Sequence, residues 1–554
     1  MDRDLKKEDL MNLDKQTLIT MLMMATSSND LLQKTVEQLN QTVSNLTEEV
    51  ALLRQNRFGR KTEKKLAEAD GQYVFIFNET EVTIDLYKDD AGISEPDTEE
   101  TETVSYVRKK HSGKRKEDLS RIREREVINH ELSEEELLVR FPDGRWNRLP
   151  DEVYERVELV PAKLKVYEHH VAVYKGTSSK EIIKAPRPKD LMRNCIATPA
   201  FVAAIANAKF VNSVPVNRLS AEIERIDDVK ILPQNMCHWV NICSERYIAR
   251  LFDRLRQEIL SCHVIQADET PCLVNRDGRP AGSKSYMWVY RSGQYEDHPF
   301  ILYEYQKTRK ADHPRQFLKE FRGICLTDGY QVYHTIDGER DDLTIAGCWA
   351  HAKRRFAEVV KTLGKTAKGS FAHTALGMVN GMYHFEKQYA DLSPEERLQK
   401  RKERILPLVE AFFVYLKKEG AVITPKSKTG EAISYCINQE KYLRVFLTDG
   451  AVPMDNNAAE RAIRPFCLGK HNWQVIDTIS GAKASAIWYS IAETAKANSL
   501  KPYEYFKYLL EEIPKHGEFE DDSFLEDLLP WSDKLPEYCR KKDPSAVEYT
   551  PKQQ

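Results

Sequence analysis

The sequence predicts an α/β protein. Between His263 and Phe356, short strand-like apolar runs alternate with helical runs. Two of those runs each end on an aspartate, Asp268 and Asp328, and a long heptad pattern stands apart near the N-terminus. At 554 residues the chain exceeds one compact core, so several domains are expected. Its 83 Lys and Arg nearly balance 86 Asp and Glu, leaving a net charge of −3 that assigns no partner. The start, Met1 to Lys7, is too charged for a secretory signal, and no apolar run reaches membrane-spanning length. The expected setting is cytoplasmic, with no membrane partner. Ten scattered cysteines without a Cys-x-x-Cys pair read as reduced thiols, so no zinc is expected.

Residues 1–65 read as an N-terminal helix with a basic end. Leu32, Val36, Leu39, Val43, Leu46, Val50 and Leu53 alternate at steps of four and three. Leucine takes d and valine takes a, and the register runs back through Asn29 at a to Leu18 at d. β-branched a positions, leucine d positions and one buried asparagine favour a parallel two-stranded coiled coil, hence a homodimer or higher oligomer. The alternative is an amphipathic helix packed on its own chain. Arg57, Arg60 and Lys61 surround Phe58 and suit a DNA backbone or a solvated helix end.

Residues 66–125 hold a short apolar segment (72–81) and a linker that is acidic over 89–103 and basic over 108–116. Residues 126–190 read as a small β-rich module, since 144–185 alternate polar and apolar. Residues 191–260 read as helices broken at Pro215 and Pro233, a possible DNA-binding region.

From His263 the expected order is β-β-β-α-β-α-β-α. Strands are expected at 263–267, 286–290, 300–305, 323–327 and 344–348, and the last runs into a helix at Trp349. Residues 365–450 look like a helical insertion. Residues 261–364 and 451–500 are expected to form one α/β domain around that insertion, and 501–554 a C-terminal element and acidic tail.

The chemistry lies in three carboxylates. Asp268 and Asp328 each close a strand, where open α/β sheets gather their ligands. Glu460 follows Asp455-Asn456-Asn457 on a short helix that Pro465 is expected to stop. On that helix Asn457, Glu460, Arg461 and Arg464 share a face. Asn457 and Glu460 also have capping-box spacing, which leaves a purely structural role open. Carboxylates without His or Cys suit hard cations such as Mg²⁺ or Mn²⁺. Two such ions roughly 3.5–4 Å apart support in-line phosphoryl displacement. His351, Lys353, Arg354 and Arg355, with Arg461 and Arg464, are candidate DNA contacts.

Several stretches resemble the transposases of the insertion sequence 66 family. They are Asp268-Glu269-Thr270, Thr327-Asp328-Gly329-Tyr330, Cys348 to Phe356, Asp455 to Pro465, Leu468 to Trp473 and Glu493 to Asn498. Arg57 to Lys64 and Val160 to Val166 add to them, and the likeness spans most of 30–515. It implies a DDE-type enzyme with an RNase H-like, retroviral-integrase-like catalytic domain and a triad of Asp268, Asp328 and Glu460. The implied partners are the element's terminal inverted repeats, target DNA and small accessory proteins of the same element. One departure stands out: the family's cysteine-rich zinc module has no counterpart, because residues 130–185 contain no cysteine. Two rivals remain open, an RNase H-like nuclease or resolvase and a domesticated DNA-binding protein.

Overall fold

The computed structural model describes residues 15–58, 75–77, 80–82, 163–175, 182–186, 190–193, 195–280, 282–517 and 521–541. The chain divides into two units. In the first, Arg60–Ala162, the described elements are β1 (Phe75–Phe77) and β2 (Thr80–Val82), an antiparallel pair. The second comprises Met1–Gly59 and Lys163–Gln554.

The second unit begins with α1 (Lys15–Phe58), one helix of 44 residues. Leu22, Leu32, Val36, Val43 and Val50 are exposed along it, as is Asn29. The side chains of Leu39, Leu46 and Leu53 lie outside the described residues. So do the Arg57 side chain, Arg60 and Lys61. A small antiparallel pair follows, β3 (Val173–Lys175) and β4 (Ile182–Lys184).

Prolines then set the helix starts as expected. The helix α2 (Pro199–Ala206) is capped by the Thr198 hydroxyl, α3 (Val216–Asp227) starts after Pro215, and α4 opens on Pro233 (Pro233–Cys243). The next helix, α5 (Ala249–Gln257), leads to the central sheet.

That sheet contains β5 (Val264–Arg276), β6 (Lys284–Ser292), β7 (Ile301–Gln306), β8 (Gly323–Thr327), β9 (Leu343–Gly347) and β10 (Ile476–Thr478). The order is β7-β6-β5-β8-β9, with β10 parallel to the far end of β5. The first three strands form an antiparallel meander, whereas β8 and β9 join parallel to β5. Helices α6 (Asp312–Phe317) and α7 (Gln331–Asp337) connect the parallel strands, and α8 (Trp349–Leu363) leaves β9. The element order matches the expected one.

Residues 371–443 are helical: α9 (Phe371–Gln388), α10 (Pro394–Lys400), α11 (Leu406–Lys418), α12 (Lys428–Asn438) and α13 (Glu440–Leu443). They close a second core over β8, β9 and α8, centred on Trp349, Phe356, Phe412 and Phe413. The chain returns through α14 (Asn457–Trp473), α15 (Ile479–Ala497) and α16 (Pro502–Glu512). The α15 helix covers the outer edge of β7. Thr494 bonds both backbone groups of Ile301 at 3.0 Å, and Tyr303 N–H donates to Ser490 Oγ at 2.7 Å. An edge that would otherwise expose unpaired backbone is thereby satisfied.

Three expectations change. Asp268 does not end its strand. The antiparallel ladder with β6 carries β5 on to Arg276, and Asp268 marks only the point where the parallel ladder with β8 has stopped. Pro465 does not stop its helix but lies within α14. Phe466 and Cys467 continue past it the buried face that Ile463 begins, and the Tyr303 hydroxyl donates to the Ala462 carbonyl. Residues 521–541 are packed rather than trailing: Leu525 and Cys539 are fully buried, and the Tyr505 hydroxyl bonds Leu528 O at 2.6 Å.

Candidate active site

Strand register brings the two aspartates together. Parallel pairing runs Val264↔Ile324, Ile265↔Cys325, Gln266↔Leu326. Asp268 lies two residues past the last of these pairs and Asp328 just past the end of β8, which leaves the two carboxylates near enough for the charge of Asp328 to act on Asp268. Asp268 Oδ1 accepts the N–H of Glu269 at 2.8 Å. Asp328 Oδ1 accepts the N–H of Tyr330 at 2.9 Å, across a turn whose Gly329 has φ +89°. The helical insertion holds that turn from outside. Tyr435 hydroxyl donates to Asp328 O at 3.1 Å, and Gln439 Nε2 to Gly329 O at 3.4 Å.

Glu460 arrives from the first turns of α14, and a buried amide decides where. Asn456 is fully buried. Its Nδ2 donates to Ala267 O at 2.8 Å and its Oδ1 accepts from Gln266 Nε2 at 3.3 Å. Its own N–H donates to Cys348 Sγ at 3.1 Å, and its carbonyl accepts the N–H groups of Ala459 and Glu460. One residue thus ties β5 just before Asp268, the end of β9 and the start of α14. The capping box does not form. Asn456 is the N-cap, the Asn457 N–H goes to Asp455 Oδ1 at 3.1 Å, and no side chain caps the helix.

The site is electrostatically strained. Burial first, then Glu269, Asp328 and Glu460, push the Asp268 carboxyl well above the usual carboxylate range. Burial and Asp328 lift Glu269 to about 7, against the pull of Arg309. Arg309 Nε donates to Glu269 Oε1 at 2.8 Å, its guanidinium lies 3.7 Å from the Tyr330 ring centre, and Tyr330 hydroxyl returns a bond to Arg309 O at 2.9 Å.

The basic residues of α8 divide. Arg354 Nη2 donates to Glu460 Oε2 at 3.2 Å, and His351 Nε2 lies 3.9 Å from Glu460 Oε1. Burial holds His351 below its ordinary pKa, although Asp328 and Glu460 pull upward. Lys353 and Arg355 instead lie over the rings of Tyr383 and Tyr435, at 5.0 and 4.3 Å. Arg461 is exposed and Arg464 half-buried.

Sequence reasoning missed Asn456, Gln266, Arg309 and the insertion's Tyr435 and Gln439. The run Asp455-Asn456-Asn457 pointed at a helix start but not at a cross-chain bridge, and Arg309 sits in no local pattern. Trp349, at the start of α8, is fully buried.

Among the described residues no three His, Cys, Asp or Glu side chains stand close enough, as placed, to share one metal ion. The donor chemistry nevertheless fits a hard cation. The donors are carboxylate oxygens crowded without full compensation, and Glu460 Oε1 and Asn457 Oδ1 are buried acceptors lacking a hydrogen-bond partner.

Fold and site define a mixed α/β protein with a carboxylate-rich centre where its parallel strands end. The chain belongs to the Transposase IS66 family, whose sequence profile matches residues 194–484 and so contains all three carboxylates. The IS66 C-terminal element matches residues 490–531, and a profile described as Transposase C of IS166 homeodomain matches 45–127. Similar chains occur in Sinorhizobium fredii. Uncharacterized protein y4qI is 26% identical over 518 residues, covering 90% of this chain and 91% of its own length. Uncharacterized protein y4hP is 27% identical over 407 residues, covering 70% and 72%. No helix among the described residues is long and apolar enough to cross a membrane.

Proposed function

We propose that this protein is a DDE transposase of a bacterial insertion sequence, with an RNase H-like catalytic domain at 261–364 and 451–500. It acts as a coiled-coil dimer or higher oligomer on the element's terminal inverted repeats and on target DNA. The observation that supports this most is the parallel pairing of β5 with β8 up to the two aspartates, whose charges act on each other, with Glu460 tethered to β5 through Asn456.

Asp268, Asp328 and Glu460 would hold divalent ions, Mg²⁺ or Mn²⁺. When bound, these ions supply the positive charge that activates an attacking oxygen and stabilises the departing one. In the first step water attacks the phosphate at the element boundary. A P–O bond forms, the P–O3′ bond breaks, and a free 3′-hydroxyl is left on the element. In the second step that hydroxyl attacks a target phosphodiester. One P–O bond replaces another and the target strand is left with its own 3′-hydroxyl, so no external energy source is needed. His351 and Arg354, set against Glu460, would orient its carboxylate between these states.

The test is a duplex bearing the element's ends, incubated with the full-length protein and Mg²⁺. Wild type should produce both 3′-nicked and target-joined strands. Asp268→Asn and Asp328→Asn should bind the ends and yield neither product, since they remove ion-holding charge and no sequence contact. Mg²⁺-dependent cleavage surviving in either variant overturns the assignment. Hydrolysis without joining identifies a nuclease instead.

A further inference from the structure

Two arginines beside the carboxylates lack an anion. Arg291 lies on β6 directly across from Gln266, on the face that α14 covers. The direct partner of Asp268 is Val289, so Arg291 is its diagonal neighbour, about 7–8 Å away through the sheet. The Arg291 side chain turns toward the start of α14. Its Nη1 donates to Ala458 O at 3.3 Å and its Nε to Ser292 O at 3.2 Å. Arg461 is three residues on from Ala458, one helical turn along the same face.

Neither guanidinium has an ion-pair partner among the described residues, and the hydrogen bonds of Arg291 go to neutral carbonyls. Burial, together with the nearby charge of Arg461, depresses the pKa of Arg291. Asp455 lies within the field of Arg461, but its Oδ1 already accepts the Asn457 N–H. A half-buried guanidinium beside a second cation is costly unless an anion completes the site. Two guanidiniums close enough to feel each other's charge could share the paired non-bridging oxygens of a phosphate.

We propose that Arg291 and Arg461 form a phosphate clamp for the DNA strand that enters the catalytic centre, gripping a phosphodiester adjacent to the one being cut. This rests on the transposase reading above. It assigns a role to Arg291, a residue with no place in the triad and no local sequence pattern. A single strand running past the start of α14 would pass from the carboxylates to the clamp. The contact is to backbone and carries no base sequence.

The test is fluorescence anisotropy with labelled duplex, in EDTA so that no strand is cut, as a function of salt. Wild type is compared with Arg291→Ala, Arg291→Lys and Arg461→Ala. The two alanine variants should each bind about tenfold more weakly at near-physiological salt. Their log–log salt slope should be shallower by roughly one counterion, equally on element-end and unrelated DNA. Arg291→Lys should fall between, because the charge remains while the two-pronged geometry is lost. Thermal melting checks each fold. If Arg291→Ala melts early, Arg291→Lys and the exposed Arg461→Ala decide the outcome. Wild-type affinity and slope in both of those variants overturn the clamp, provided wild type itself binds. A wild-type protein with no affinity for DNA overturns the transposase reading itself and the clamp with it.

Discussion

Asn456 is buried and bonded on every side, so its loss should be felt in two measurable ways. Asn456→Ala removes the donor to Ala267 O and leaves the Gln266 amide with only its long contact to Asp455 O at 3.5 Å. An unpaired buried polar group costs about 1–3 kcal/mol, which urea denaturation should read. Strand cleavage at saturating DNA should fall by more than end binding does, because Glu460 loses its tether to β5. Glu460→Gln separates the two possible roles of that residue. The capping box is absent, so the amide should leave helix stability near normal. Cleavage and joining should drop by several orders of magnitude, because a neutral amide is a poor ligand for a hard cation. Near wild-type joining by this variant would return Glu460 to a structural role. Glu304 on β7 carries a pH dependence of its own. Burial raises its pKa from 4.5 to about 7, against the pull of Arg256, and its Oε2 has no hydrogen-bond partner. The folded protein therefore holds this proton more tightly than the unfolded chain. The contribution is fully present below about pH 4.5 and is lost as pH rises through 7. Glu304→Gln should gain melting temperature relative to wild type across that window and show little relative change below it.

Among the elements, α1 offers the cleanest separate experiment. It is a 44-residue helix with Leu22, Leu32, Val36, Val43 and Val50 exposed along one register. A peptide spanning 18–53 should sediment as a dimer. Asn29→Val should raise its melting temperature while allowing higher oligomers, because an asparagine at a specifies pairing at a cost in stability. A monomeric, unfolded peptide would rule out the coiled coil. The heptad spacing made this helix legible because its pattern is local. The true lengths of β5 and α14 were not legible. β5 runs on because β6 pairs with it through Leu273↔Lys284, and α14 passes Pro465 because its far turns are buried against the sheet. In both cases tertiary contacts outweighed a local stop signal.

For the whole molecule, the missing cysteine module bears on metal content. The ten cysteines of the chain are all free, and eight are buried. The purified protein is expected to carry no stoichiometric zinc by elemental analysis. One tightly held zinc per chain would require ligands drawn from distant cysteines and histidines. By itself the sequence determined the element order of the sheet, the proline-marked helix starts, the long heptad helix and the three carboxylates. Each of these is written in a local period or a short motif. Only the tertiary structure decided that the parallel pairing of β5 and β8 brings Asp268 near Asp328, that Asn456 pins Glu460 to β5, that the helical insertion holds the Asp328 turn, and that Arg291 reaches the start of α14. Those contacts join residues up to 190 positions apart. They exist only after strands pair and helices pack, and nothing in the local pattern of either partner encodes them.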